Sequence, residues 1–401
     1  MTSFLRIMGI LLTLAVLVGV GRWYLVGQAP DYTTTEPRLS LGQALGGELA
    51  GFARADRPRE FRFPDDHGPH PNYRTEWWYY TGNLKSAEGR HFGFQLTFFR
   101  TALNAPPDQT GRASAWGTQD VYMAHFALSD VAEQRFHAFQ RLSRAALGLA
   151  GASAIPFRVW LEDWSVTGET AVEQPVSMQL SAEEQDVALD LRLVSDKPVV
   201  LHGQNGLSQK GAAAGQASYY YSLTRLRSAG VIRLGDEEFQ VQGLSWMDRE
   251  WSTSVLSEAL QGWDWFALQL TNGQELMVYQ VRQQAGGIHP LSSGTLVAAD
   301  GTPQALTPAD FQIEVLQTWQ SPADGTVYPA QWRVRIPDEA IDLTITPYMA
   351  DQEMHTLIRY WEGAVRARGT VQGRSLEGDG YVELTGYAEK KAGSAVFGRM
   401  S

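Results

Sequence analysis

The 401-residue chain contains no cysteine. Disulfides, zinc–thiolate centres, iron–sulfur clusters, thiol catalysis and a lipid carried on an N-terminal cysteine are thereby excluded. Charge is sparse, with Asp, Glu, Lys and Arg making up 19% of residues. Positive charge is in deficit, 33 Lys and Arg against 44 Asp and Glu, for a net charge of −11. An acidic chain without a Lys/Arg cluster argues against a nucleic-acid partner. No nucleophile elbow, H-E-x-x-H helix, dinucleotide fingerprint or calcium loop occurs. The eight histidines stand singly, so no metal site and no cofactor are expected. The stretch Gly203–Gln216 (GQNGLSQKGAAAGQ) is glycine-rich but lacks the order of a phosphate loop, and reads as a flexible loop.

Apolar and aromatic residues are plentiful. Hydrophobic residues form 44% of the chain, with 13 Trp, 15 Tyr and 16 Phe. That is enough for a packed core, and it excludes disorder as the main state. Arg6 precedes the apolar run Ile7–Val20, followed by Gly21, Arg22 and a second short run, Trp23–Val26. A basic start before ~7–15 apolar residues reads as an export signal. Uncleaved, Ile7–Val26 approaches the ~20 residues that span a bilayer. Residues 1–29 are therefore expected to be a signal peptide or membrane anchor. Residues 30–60 are expected to be a linker with one short helix near Leu41–Ala53.

Beyond residue 60 the pattern is β throughout. Short aromatic and β-branched runs recur between turn residues. Ala132–Leu149 is the best helical candidate and lacks a clear apolar stripe. Open antiparallel sheets this large tend to close or split, because exposed edges invite aggregation. The expected fold is all-β, two tandem antiparallel barrels over 61–240 and 241–401.

Isolated acids among rings mark the candidate site. In Glu76–Gly82 (EWWYYTG), strand alternation puts Glu76, Trp78 and Tyr80 on one face and Trp77, Tyr79 and Thr81 on the other. His125 shares a face with Val121, Met123 and Ala127. Ser245–Ser252 (SWMDREWS) sets Asp248 and Glu250 about Arg249, between Trp246 and Trp251. In Gly262–Leu270 (GWDWFALQL), Asp264 shares a face with Phe266, Leu268 and Leu270. An unpaired carboxylate there has a raised pKa, the condition for a proton donor; paired with an arginine such as Arg282, it is structural. Tyr360-Trp361-Glu362 and Tyr381–Tyr387 add further rings and acids. The candidate catalytic residues are Asp264, Asp248, His125 and Glu76. The candidate ligand-binding residues are Trp77, Trp78, Trp246, Glu250, Trp251, Trp263, Trp265, Tyr360 and Glu362. All are expected to converge near the domain junction.

Taken in order, HPNYRTEWWYYTGNL (His70–Leu84), HFGFQLTFFR, AHFALSD, SYYYSLTRL, GLSWMDREWSTS, GWDWFALQL, YWEGAV and GYVELTGY resemble the AttH-like family. That family is related to bacterial carotenoid 1,2-hydratases and some fungal pericyclases. The resemblance covers about residues 60 to 390. It implies two lipocalin-like barrels with a pocket at or near their junction, export to the periplasm or cell envelope, and association with an ABC transporter permease. Arg249 departs from the family pattern, which commonly has His there. If that His serves as acid or base, this chain lacks it.

Three functions follow in order of expectation. The first is an exported carrier of a hydrophobic small molecule or lipid, working with the transporter and tethered to the membrane if the N-terminus stays uncleaved. The second is a hydratase or isomerase of an isoprenoid or carotenoid double bond. There Asp264 or Asp248 would protonate the alkene, aromatic rings would stabilise the cation, and water held by Glu76 or His125 would attack. The third is a structural envelope protein.

Overall fold

The computed structural model describes residues 50–106, 117–168, 176–253 and 260–388. The expected signal or anchor, and most of the linker and its helix, lie outside them. Among the described residues there are two 3-10 turns and no α-helix, and no helix long and apolar enough to cross a membrane.

Twenty-three strands form two antiparallel sheets. The first thirteen are β1 (Thr75–Ser86), β2 (His91–Ala102), β3 (Asp120–Asp130), β4 (Arg135–Arg144), β5 (Ala150–Ala154), β6 (Phe157–Leu161), β7 (Trp164–Gly168), β8 (Ser177–Glu184), β9 (Val187–Ser195), β10 (Val200–Leu201), β11 (Leu207–Gln209), β12 (Ala217–Leu234) and β13 (Glu237–Ser252). The other ten are β14 (Leu260–Leu270), β15 (Glu275–Gln283), β16 (Ser293–Val297), β17 (Pro303–Leu306), β18 (Gln312–Gln320), β19 (Val327–Ile336), β20 (Ile341–Pro347), β21 (Glu353–Met354), β22 (Tyr360–Val371) and β23 (Arg374–Thr385). The first sheet runs β4-β3-β2-β1-β13-β12-β9-β8-β7-β6-β5, with β10 and β11 added beside β12. The second runs β17-β16-β15-β14-β23-β22-β20-β19-β18, with β21 beside β22. They curl into a near-barrel and a half-barrel, the tandem lipocalin-like architecture.

The chain changes sheets between Ser252 and Leu260, later than the boundary expected near residue 240. The reason is pairing: β13 lies between β1 and β12 and so closes the first sheet. The helical candidate Ala132–Leu149 holds strand β4 instead, paired with β3 along its length. Phe136, Ala138, Gln140 and Leu142 fall at a spacing of two, the strand period. Part of the glycine-rich stretch is also strand, because β11 pairs with β12.

Each sheet has its own core. Alternate residues of β9 (Leu189, Leu191 and Leu193) point into the first, with Trp78, Phe94, Phe126 and Trp164. Phe266, Leu268, Trp332, Leu343 and Trp361 fill the second. A fully buried Leu or Phe side chain contributes about 1.5–3 kcal/mol, so these interiors carry the fold. A third cluster, with Tyr79, Tyr220, Trp246, Trp265, Met277 and Tyr381, lies where the outer faces of the two sheets meet. The central strands are thus covered on both sides, which is why β1 and β13 carry aromatic residues on both faces.

Candidate functional site

A cavity of about 440 Å³ opens at this seam. The first sheet supplies one wall and the second the other. Period-two alternation decides which residues reach it. From β1 these are Thr75, Trp77 and Tyr79; from β13, Asp248, Glu250 and Ser252. His125 of β3, Tyr220 of β12, Trp263 and Trp265 of β14, Tyr360 and Glu362 of β22, and Glu383 of β23 complete the chemistry.

Three carboxyls dominate, Asp248 and Glu362 buried and Glu383 half-buried. Asp248 accepts hydrogen bonds from the Tyr220 hydroxyl at 2.6 Å and the Trp246 indole at 2.6 Å, and from the Ser222 hydroxyl. Burial still pushes it up to about 7, against those three donors. Glu362 and Glu383 stand opposite each other in the β22–β23 register. Glu362 accepts from the Tyr79 hydroxyl at 2.9 Å, and Glu383 from the Trp263 indole at 2.6 Å. Burial, then the charge of Glu383, holds Glu362 well above the usual carboxylate range. Burial raises Glu383 to about 7, with the Trp263 indole partly offsetting it. The other oxygen of Glu362, Oε1, is buried and meets no donor among the described residues, and the carboxyls of Glu362 and Glu383 hydrogen-bond to each other when they share a proton. Both shifts favour the protonated form, so the pair holds a proton more readily than free carboxylates do. His125 cannot supply one, because burial lowers it to about 4. Its Nε2 donates to Gln140 at 3.2 Å, so its Nδ1 accepts from the Tyr360 hydroxyl at 2.6 Å.

The cavity gathers His125, Asp248, Glu250, Trp77, Trp263, Trp265, Tyr360 and Glu362 from the sequence-based candidates. Trp246 lies behind the wall and holds Asp248. The remaining four do not reach the cavity, because they occupy the inward faces of their strands. Trp78 and Trp251 pack in the first core. Glu76 lies there too, in ion pairs with Arg249 and, at 3.0 Å, with Arg100. Burial would raise Glu76, but the two guanidiniums outweigh it and hold it well below the usual range. Asp264 points into the second core and meets Arg282 at 3.0 Å, Gln280 at 3.0 Å and the Tyr387 hydroxyl at 3.0 Å. Arg249 likewise points inward, over the Trp78 ring at 3.9 Å. The departure at this position therefore takes no group from the cavity.

Sequence reasoning did not assign Glu383, Tyr79, Tyr220 or Lys210 to the site. Alternation alone placed Tyr79 beside Trp77. Nothing local signals that Glu383 faces Glu362, since that depends on the register of the β22–β23 hairpin.

The sequence profile of the AttH-like family matches residues 54–387. The chain belongs to the AttH-like family. Among solved structures, it is similar to an AttH protein from Nitrosomonas europaea, at 35% identity and a TM-score of 0.74, over 84% of this chain and 100% of that one. It also shares its fold with kievitone hydratase from Nectria haematococca, at 15% identity and a TM-score of 0.63, over 84% of this chain and 98% of that one. No curated protein sequence matches the chain. Within the AttH-like frame, the cavity belongs to the seam between the two sheets.

Proposed function

We propose that the seam cavity is the active site of a hydratase or isomerase that protonates a carbon–carbon double bond of a largely apolar substrate. The observation that carries this reading is the Glu362–Glu383 pair. A carboxyl whose proton is held by burial and by a neighbouring carboxylate, in an aromatic pocket, is a general acid in waiting. In hydration, Glu362 gives its proton to one alkene carbon and becomes a carboxylate. The adjacent carbon becomes a cation beside the rings of Trp77, Trp263 and Trp265. Water attacks that carbon and loses its proton to Glu383 or Asp248, both poised near neutrality. From Glu383 the proton returns to Glu362 across the hairpin; from Asp248 it leaves to solvent, and solvent water reprotonates Glu362. In isomerisation, a neighbouring carbon loses a proton to the same base. The shared scaffold of kievitone hydratase is in keeping with this chemistry.

The carrier reading, first by sequence, needs only the apolar walls and no acid. One experiment separates the two. Apolar alkenes are incubated with the protein in ¹⁸O-labelled water, and products are followed by mass spectrometry. The expected result is uptake of one labelled water if the alkene is hydrated, or an isomer of unchanged mass with a shifted double bond if it is isomerised, with a rate that rises through about pH 7 as Asp248 and Glu383 ionise. It falls again at higher pH as Glu362 loses its proton. Glu362→Gln should lose about 10²–10⁴-fold in rate and keep binding. Undiminished turnover by Glu362→Gln would remove the general acid. Binding without turnover in the wild type would leave the carrier.

A further inference from the structure

One part of the cavity wall has no role in the proton transfers above. Lys210, from the stretch between β11 and β12, lines the cavity, as do Glu250 and Ser218. Its ammonium lies 3.4 Å from a Glu250 oxygen. It also stands 4.5 Å from the centre of the Tyr279 ring and 5.2 Å from that of Tyr220. The Lys210 side chain keeps 23% of its surface accessible. At 3.4 Å the pair is loose, so ammonium protons remain for another acceptor. Ser218 is 1% exposed, and its hydroxyl has no hydrogen-bond partner among the described residues. A buried hydroxyl without a partner costs free energy unless something in the cavity meets it.

The chemistry of the three groups restricts what that something is. Lys210 only donates, Glu250 only accepts, and Ser218 does either. A carboxylate or phosphate would meet Lys210 but also face Glu250, with Asp248 two residues along the same strand face. An apolar end would leave all three groups unmet. A hydroxyl accepts from Lys210 and donates to Glu250 or Ser218 at once. We infer that this corner of the cavity is a subsite for the neutral hydroxyl head of an otherwise apolar substrate. This deepens the reading of the cavity as an enzyme site, because it fixes which end of the molecule lies at Lys210 and which lies toward the carboxyls of the second sheet.

The test uses the full-length protein and three probes of one chain length: 1-dodecanol, its methyl ether and dodecanoate. Binding is followed by the fluorescence of the cavity tryptophans. The alcohol should bind about tenfold tighter than the ether, the effect of a hydrogen bond to a charged group, and tighter than the carboxylate. Lys210→Met should weaken binding of the alcohol and the ether alike, since both keep the oxygen that accepts from the ammonium, and Ser218→Ala should narrow the gap between alcohol and ether. Equal binding of alcohol and ether by the wild type would overturn the subsite, whatever the variants do, and so would preferred binding of the carboxylate. Neither result touches the general-acid reading, which is decided by turnover and by Glu362→Gln.

Discussion

At the scale of single residues, the same kind of group does opposite work on opposite faces of one strand pair. Trp77 and Glu250 are register partners across β1 and β13, as are Glu76 and Trp251. Glu250 looks into the seam, and Glu76 looks into the first core. There Glu76 pairs with Arg249 and with Arg100, both 1% exposed or less. Removing one member of a buried ion pair costs about 3–5 kcal/mol, because the other charge stays buried alone. Glu76→Gln should therefore destabilise the protein by about that much at pH 7, in urea or thermal unfolding, without altering the cavity. The sign of the pH dependence follows from the lowered pKa. Glu76 contributes stability that is fully present above its ordinary value of 4.5 and is lost as pH falls below it. The difference between wild type and Glu76→Gln should shrink as melts are taken from pH 5 towards pH 3. A constant difference would show that Glu76 acts through packing alone.

At the scale of strands and turns, the approach of the two sheets depends on a glycine. A Cβ placed on Gly93 of β2 would lie 2.4 Å from the Cβ of Ala364 on β22. Two such carbons cannot stand closer than about 3.5 Å without one strand moving. Gly93→Ala should cost about 1–3 kcal/mol by overpacking, and should weaken cavity binding as well, since both sheets wall the cavity. Loss of stability with binding intact would show that the strain relaxes away from the seam. The strands themselves were legible in the sequence. Alternation in EWWYYTG sorts Trp77 from Trp78, and in GWDWFALQL it sorts Trp263 and Trp265 from Asp264. What alternation cannot give is which of two buried faces meets a cavity and which meets a filled core. Both faces of β1, β13 and β14 are apolar enough for either, so Glu76 and Asp264 read as site residues when they are core ion pairs. Lys210 was hidden for a different reason: its reach into the cavity depends on β11 joining the sheet, and three residues give no periodicity to read.

At the scale of the whole molecule, the two sheets make one compact unit. The Lys197 ammonium of the first half meets Glu275 of the second at 2.6 Å, and Arg225 binds the same carboxylate at 2.5 Å. Asn83 donates to the Gly380 carbonyl at 2.8 Å, and Gln269 to the Thr224 and Ser245 carbonyls at 2.7 and 2.9 Å. With the aromatic seam cluster, these contacts predict a single cooperative unfolding transition by calorimetry. Residues 50–253 produced alone would expose Tyr79, Tyr220 and Trp246 to water. Exposed apolar patches of that kind lead to association. The fragment should aggregate or bind hydrophobic dyes, and a soluble, cooperatively folding monomer would contradict the shared core.

The position of the cavity at the seam bears on how such a protein diversifies. In a calyx, the ligand occupies the space that the core would otherwise fill, so each new specificity also perturbs the folding of the barrel. Here the residues that line the cavity sit at every second position, with their backs to packed cores. Positions such as Phe99, Met123 and Val281 line the pocket from outside either barrel. Lineages that carry duplicate copies can drift at those positions towards new substrates while the inward positions stay under the old constraint. A swap of one whole sheet between two relatives would join the pocket wall of one to the wall of the other, with both barrels unchanged.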